Sequence, residues 1–232
     1  MKHFTLIISC EHAVNTIPAE FTRLFQKAEP LLNTHAGVDY GALDIATYLS
    51  EHLPTAYYGK ACVSRLLIDC NRSLHHKQCF STMTKSLGSG EKKRIIDTYY
   101  HPFRQGVINA VKQQLNLNRR VLHLSIHSFT PVLSGKKRLA DVGLLYDPKR
   151  KLERVFVKRW QHLLTHTAPH LRVRLNYPYR GTSDGFTSAL RQLYATEEYL
   201  GIEVETNQIL SSLAAPRLEI CRTFTQTLQD FI

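Results

Sequence analysis

Apolar residues in this chain fall into short, nearly unbroken runs, separated by stretches in which apolar positions return every three or four residues. The runs at residues 4–10, 61–70, 121–126, 142–146, 171–175 and 201–206 are rich in Val, Ile and Leu. Most are too apolar for a strand with one wet face, so they predict strands covered on both sides. Between them, Ala42, Ala46, Leu49 and Leu53 mark a helical stripe over residues 40–53. Longer helical patterns cover 91–118 and 150–167, and a last one covers 215–230. Such alternation predicts an α/β fold: a mixed, mainly parallel twisted sheet with helices on both faces, in a single domain over residues 1–232. Two segments break the pattern. Residues 81–91 have the small, polar composition of a mobile surface segment or lid, and residues 176–191 mix aromatics, turn formers and arginines as a recognition loop does.

Composition narrows the class. A chain of 232 residues with 43% hydrophobic content can bury a substantial core. No stretch approaches the roughly 18 to 20 apolar residues of a membrane span, and the first apolar run reaches Glu11 without a cleavage-like site, so a cytoplasmic protein is expected. The five cysteines form no Cys-x-x-Cys pair, which suits reduced thiols. A formal charge of +11 favours anionic partners. Much of it lies in Lys136-Lys137-Arg138 and in Lys149-Arg150-Lys151 with Arg154, Lys158 and Arg159, which read as a solvated helix face. A basic nucleic-acid-binding protein is the non-enzyme alternative, and it is disfavoured because only Tyr146 and Phe156 interleave these charges and single-strand binders need aromatic platforms. Gly-x-Ser-x-Gly and Gly-x-x-x-x-Gly-Lys are absent, which removes nucleophile-elbow hydrolases and P-loop enzymes.

Two apolar runs end in histidine: 4–10 leads into Glu11-His12, and 121–126 into His127-Ser128. Carboxyl ends of neighbouring strands converge on the ligand crevice of an open α/β sheet, so the two imidazoles can reach one ion. His162 and His166 also have a metal-compatible spacing, but no glutamate accompanies them and Pro169 follows closely, which reads as an exposed helix end.

Seven stretches follow in order: Ile8-Ser9-Cys10-Glu11-His12, His35-Ala36-Gly37-Val38-Asp39, the segment from Ser64 to Ser73 containing Asp69-Cys70-Asn71-Arg72, His127-Ser128-Phe129-Thr130-Pro131, Gly143 to Pro148, Asn176-Tyr177-Pro178-Tyr179-Arg180-Gly181, and Gly201 to Gln208. Together they resemble the N-formylglutamate amidohydrolase family, a relative of the zinc carboxypeptidases, over residues 4 to 210. The resemblance implies a carboxypeptidase-like fold, one Zn2+ per chain at the carboxyl edge of the sheet, and hydrolysis of an amide next to a carboxylate. His12 and His127 are similar to the family's histidine ligands. The third residue after His12 is Asn15 rather than the carboxypeptidase glutamate, so the acidic ligand passes to Asp39, with Glu11 and His35 as alternatives and a plain helix cap as the other role open to Asp39. Glu205 matches the catalytic glutamate of Glu-x-x-Gln. Glu203, two residues away on the same strand face, is its alternative. Asn71-Arg72 resembles the pair that holds a substrate carboxylate, a task suited to the planar guanidinium fork. Arg180, and after it Arg65 and Arg191, would take a second carboxylate or polarise the scissile carbonyl. The implied partner is a small anionic N-acyl amino acid. Small peptides or cell-wall fragments are the alternative substrates.

Overall fold

Five of the six apolar runs become strands of the main sheet, and its sixth strand comes from Thr55–Lys60, outside those runs. The computed structural model describes residues 4–232. Its first half contains β1 (Thr5–Cys10), the one-turn helices α1 (Thr22–Phe25) and α2 (Glu29–Leu32), α3 (Ala42–His52), β2 (Thr55–Lys60), α4 (Ser89–Ile95) and α5 (His101–Asn116). Then follow β3 (Val121–Phe129), a small hairpin of β4 (Val132–Leu133) and β5 (Lys136–Lys137), β6 (Val142–Leu145), α6 (Lys151–Thr167) and β7 (Val173–Leu175). The chain ends with α7 (Phe186–Leu193), β8 (Tyr199–Asn207), the one-turn α8 (Gln208–Ser211) and α9 (Ala214–Leu228). The main sheet has the order β2-β1-β3-β8-β6-β7. Pairings from β2 through β8 are parallel, β6 runs antiparallel to β8, and β7 lies parallel to β6.

Each face of the sheet has its own core. Leu6, Ile8, Leu124, Ile126, Ile202 and Val204 pack with side chains of α3, α6 and α9, among them Leu49, Trp160 and Phe224. On the opposite face Ile7, Val121 and Tyr199 meet Val107 and Val111 of α5 and Phe186 and Leu190 of α7. All nine residues of β3 and of β8 are buried. Double coverage explains their uninterrupted apolar runs.

The predicted strand at 61–70 is a correction. Val63, Leu67, Ile68 and Cys70 do enter the second core, but through turns rather than a ladder. Ser64 organises them: its carbonyl accepts from Leu67 N at 2.9 Å, and its hydroxyl donates to Gly37 O at 2.9 Å and accepts from Leu66 N at 3.2 Å. Apolar content reported burial there, and burial does not specify strand. The strand lies just before it, in β2, an edge position whose Thr55, Tyr57 and Tyr58 suit a half-covered pleated surface.

Other departures are local. The helix expected over 91–118 is α4 and α5 joined by a π turn, Ile96–Tyr100. Pro102 lies just beyond and lacks the N–H that would bond back along the helix, and the wider turn accommodates that gap. Residues 81–91 are anchored midway by the buried Thr84, whose hydroxyl donates to Leu67 O at 3.0 Å. The expected loop at 176–191 is irregular only in its first part, because Phe186 starts α7. Among the described residues no helix is long and apolar enough to cross a membrane.

Candidate metal and active site

Parallel alignment carries the ends of β1, β3 and β8 to one edge. Register pairs Ser125 with Glu203 and His127 with Glu205, so these four side chains project from the same face. His12 follows β1 by two residues and fixes the incoming loop through its carbonyl, which accepts from Asp39 N at 3.1 Å. Asp39 is not the cap of α3. That position belongs to Gly41, at φ 75°, where an added Cβ would meet Ser211 O at 2.0 Å. The Asp39 carboxylate instead turns inward, with Oδ2 at 2.9 Å from His127 Nδ1, 3.2 Å from His12 Nδ1 and 3.3 Å from Ser128 N.

Ligand atoms of His12, Asp39 and His127 all lie within 4.8 Å of one another, and all three residues are buried. Each imidazole is held from behind by another carboxylate. His12 Nε2 meets Asp69 Oδ1 at 2.8 Å. His127 Nε2 meets Ser125 Oγ at 2.9 Å and Glu11 Oε2 at 3.2 Å. Glu11, one of the alternative third ligands, therefore occupies the far side of His127 and does not join the convergent set. His35, the other alternative, is exposed in a neighbouring recess.

Charge in this cluster is strongly correlated. Burial and the Arg65 charge push the His12 pKa down, and the Asp69 and Asp39 carboxylates raise it by more. His127 is raised well above its ordinary value: burial opposes protonation, but hydrogen bonds and attraction from Asp39 and Glu11 prevail. Burial also opposes ionisation of Glu11, yet its bond and attraction to His127 bring it down to about 2. Asp39 and Asp69 likewise lie well below the usual carboxylate range, despite burial, because of His12 and Arg65. Glu205 goes the other way. Burial raises it to about 7; His127 opposes, while Asp39 and Glu203 add to the rise. Its Oε2 is buried without a hydrogen-bond partner among the described residues.

A recess of about 160 Å³ opens over this cluster. His12, Asp39, His127, Glu205, Asn71, Arg72 and Arg180 all line it, so every principal site residue expected from the sequence reaches one cavity. Glu203 lines it as well, but accepts from Thr187 Oγ1 at 2.6 Å, whereas no group among the described residues bonds to Glu205 Oε2. Asn71 is fixed between its own N–H, which donates to Asp69 Oδ1 at 3.0 Å, and its Oδ1, which accepts from Phe186 N at 2.7 Å. Arg72 donates to Asp184 O through Nη1, and its Nε is buried with no hydrogen-bond partner among the described residues. Arg65 spans Asp39 Oδ1 at 3.4 Å and Asp69 Oδ2 at 3.1 Å. Arg191 is absent from the lining: it is buried against Glu153, with Nε at 2.9 Å from Oε1, and serves the packing of α7. Sequence reasoning left Asp69, Ser125 and Asp184 without roles. Only Asp69 carried a signal, its place two residues before Asn71.

The sequence model of the N-formylglutamate amidohydrolase family matches residues 4–210, nearly the whole chain. The chain belongs to that family. Membership makes it a hydrolase of an amide C–N bond. A gene product of Agrobacterium tumefaciens has a similar crystal structure, with 26% identity, a TM-score of 0.80, and coverage of 99% of this chain and 90% of that one. The N-formylglutamate amidohydrolase of Ralstonia eutropha JMP134 shares the fold at 20% identity and TM-score 0.70, covering 99% of this chain and 93% of that one. A search of the curated proteins finds no match.

Proposed function

We propose that this chain is a zinc-dependent amidohydrolase that cleaves a small N-acyl amino acid of the N-formylglutamate type. Water adds across the amide C–N bond, giving a carboxylic acid and the free amino acid. The single observation that carries the reading is the convergence of His12 Nδ1, His127 Nδ1 and Asp39 Oδ2. Neutral imidazoles that donate from Nε2 to Asp69 and Glu11 turn bare Nδ1 lone pairs toward the Asp39 oxygen, which is repulsive unless a proton or a cation intervenes. Zinc fits this donor set. Ligands about 2.0–2.2 Å from a tetrahedral zinc stand roughly 3.3 Å apart, comparable with the 3.2 and 2.9 Å separations of the two imidazole nitrogens from Asp39 Oδ2.

His12, Asp39 and His127 would hold the zinc, which would supply Lewis-acid polarisation of the scissile carbonyl and acidification of water. The side chains do the rest. Glu205, raised to about 7 and without a hydrogen-bond partner at Oε2 among the described residues, takes a proton from the attacking water and returns it to the departing nitrogen. Arg72, with its buried spare N–H, and the fixed Asn71 hold the carboxylate of the amino-acid half. Arg65 and Arg180 line the same recess and stabilise negative charge growing on the acyl oxygen or on a second carboxylate. The recess volume of about 160 Å³ supports a small substrate.

The test is hydrolysis of N-formyl-L-glutamate by protein stripped with chelator and then given zinc. Release of formate and glutamate that depends on zinc is expected. Zinc-dependent cleavage of short peptides with no turnover of any N-acyl amino acid would overturn the substrate class and favour the carboxypeptidase alternative.

A further inference from the structure

A second recess, of about 430 Å³, adjoins the first, and Arg65 and Tyr179 line both. Its other walls include Lys77 and Lys85, the apolar Leu66 and Phe80, and His35. Asp69 is the acid among its lining residues, and that carboxylate is already engaged by Arg65 and His12. Lys77 and Lys85 are exposed and make no ion pair among the described residues. Lys92 lies over the Phe80 ring at 5.5 Å and donates to Lys85 O.

Position decides which half of the substrate this space can serve. Asn71, Arg72 and Glu205 line the first recess alone, whereas Arg65 lies between the metal-ligand cluster and the second recess. With the amino-acid carboxylate on Arg72 and the amide over His12, Asp39 and His127, the space past Arg65 lies on the acyl side. A formyl group has no atom that could extend into it. Leu66 and Phe80, in a lining that also carries Lys77 and Lys85, match a short methylene chain ending in a carboxylate.

We infer that the second recess is an acyl subsite for an N-acyl amino acid whose acyl group itself carries a carboxylate, with Lys77 and Lys85 selecting that charge. The inference rests on the reaction proposed above. Its test compares kcat/KM for N-formyl-, N-butyryl-, N-succinyl- and N-glutaryl-L-glutamate in wild type and in a Lys77→Ala/Lys85→Ala double variant. These lysines lie outside the catalytic recess, so turnover of the N-formyl and N-butyryl compounds should stay unchanged. Wild type should favour the succinyl or glutaryl compound over N-butyryl by about tenfold or more, the double variant should lose most of that ratio, and added salt should shrink it. Equal rates for charged and neutral acyl groups, or a preference untouched by the double variant, would overturn the subsite. So would a variant effect that follows the amino-acid side chain instead of the acyl group. Absence of hydrolysis for all four compounds would instead sink the underlying reaction.

Discussion

At the scale of single residues, the site depends on carboxylates with opposite tasks. Asp39, Asp69 and Glu11 are held ionised by imidazoles, while burial raises the Glu205 pKa to about 7. Glu205→Gln is expected to keep metal and lower kcat by roughly 100-fold or more, since proton transfer commonly contributes that much. The same change should stabilise metal-free protein. A carboxyl raised from its ordinary 4.5 to about 7 by folding is held against ionisation, so wild type loses stability as pH rises through that window and the glutamine variant does not. Denaturant titrations should show the gain growing between those pH values and level above them, on the order of a few kcal/mol at most. A gain over wild type no larger at pH 8 than at pH 5 would contradict the burial account. Arg72→Ala should raise KM for carboxylate-bearing substrates with a smaller change in kcat. Lysine at that position should restore little, because an ammonium lacks the two-pronged fork. An unchanged KM would refute the clamp.

Between elements, positioning comes from the strand ends and the turns that follow them. His12 and His127 were legible because each follows or closes an apolar strand run, Glu205 was legible through the family resemblance of Glu-x-x-Gln, and strand parity placed Glu203 on the same face. Asp69 and Glu11 were not legible as supports for the imidazoles. Their partners lie 57 and 116 residues away, as the numbers of His12 and His127 show, and no local periodicity encodes such pairings. The false strand at 61–70 and the overlooked β2 share a cause: local hydrophobicity measures burial, while ladder formation depends on which segment fills the place beside β1. Asp69→Asn should weaken zinc affinity about 10- to 100-fold by releasing the His12 ring from its ionised partner. Competition against a chromogenic chelator measures this, and unchanged affinity would remove Asp69 from the support of the site.

Across the whole molecule, two cores clamp one sheet and leave its carboxyl edge as the place where charge collects. The positive balance of the sequence is partly absorbed inside: Arg150 donates to the carbonyls of Ala195 and Tyr199 at 2.8 Å, and Arg191 is buried against Glu153. Part of the rest gathers at the two adjoining recesses, through Arg65, Arg72, Arg180, Lys77 and Lys85. Metal binding should weaken on acidification, because both histidines have raised pKa values and protons compete for the same lone pairs. The central claim is that His12, Asp39 and His127 together grip one ion. Elemental analysis of protein purified without chelator, beside a His127→Ala variant shown by circular dichroism to be folded, tests it most directly. About one zinc per chain in wild type and almost none in the variant is the expected result, whereas full zinc content in the folded variant would contradict it.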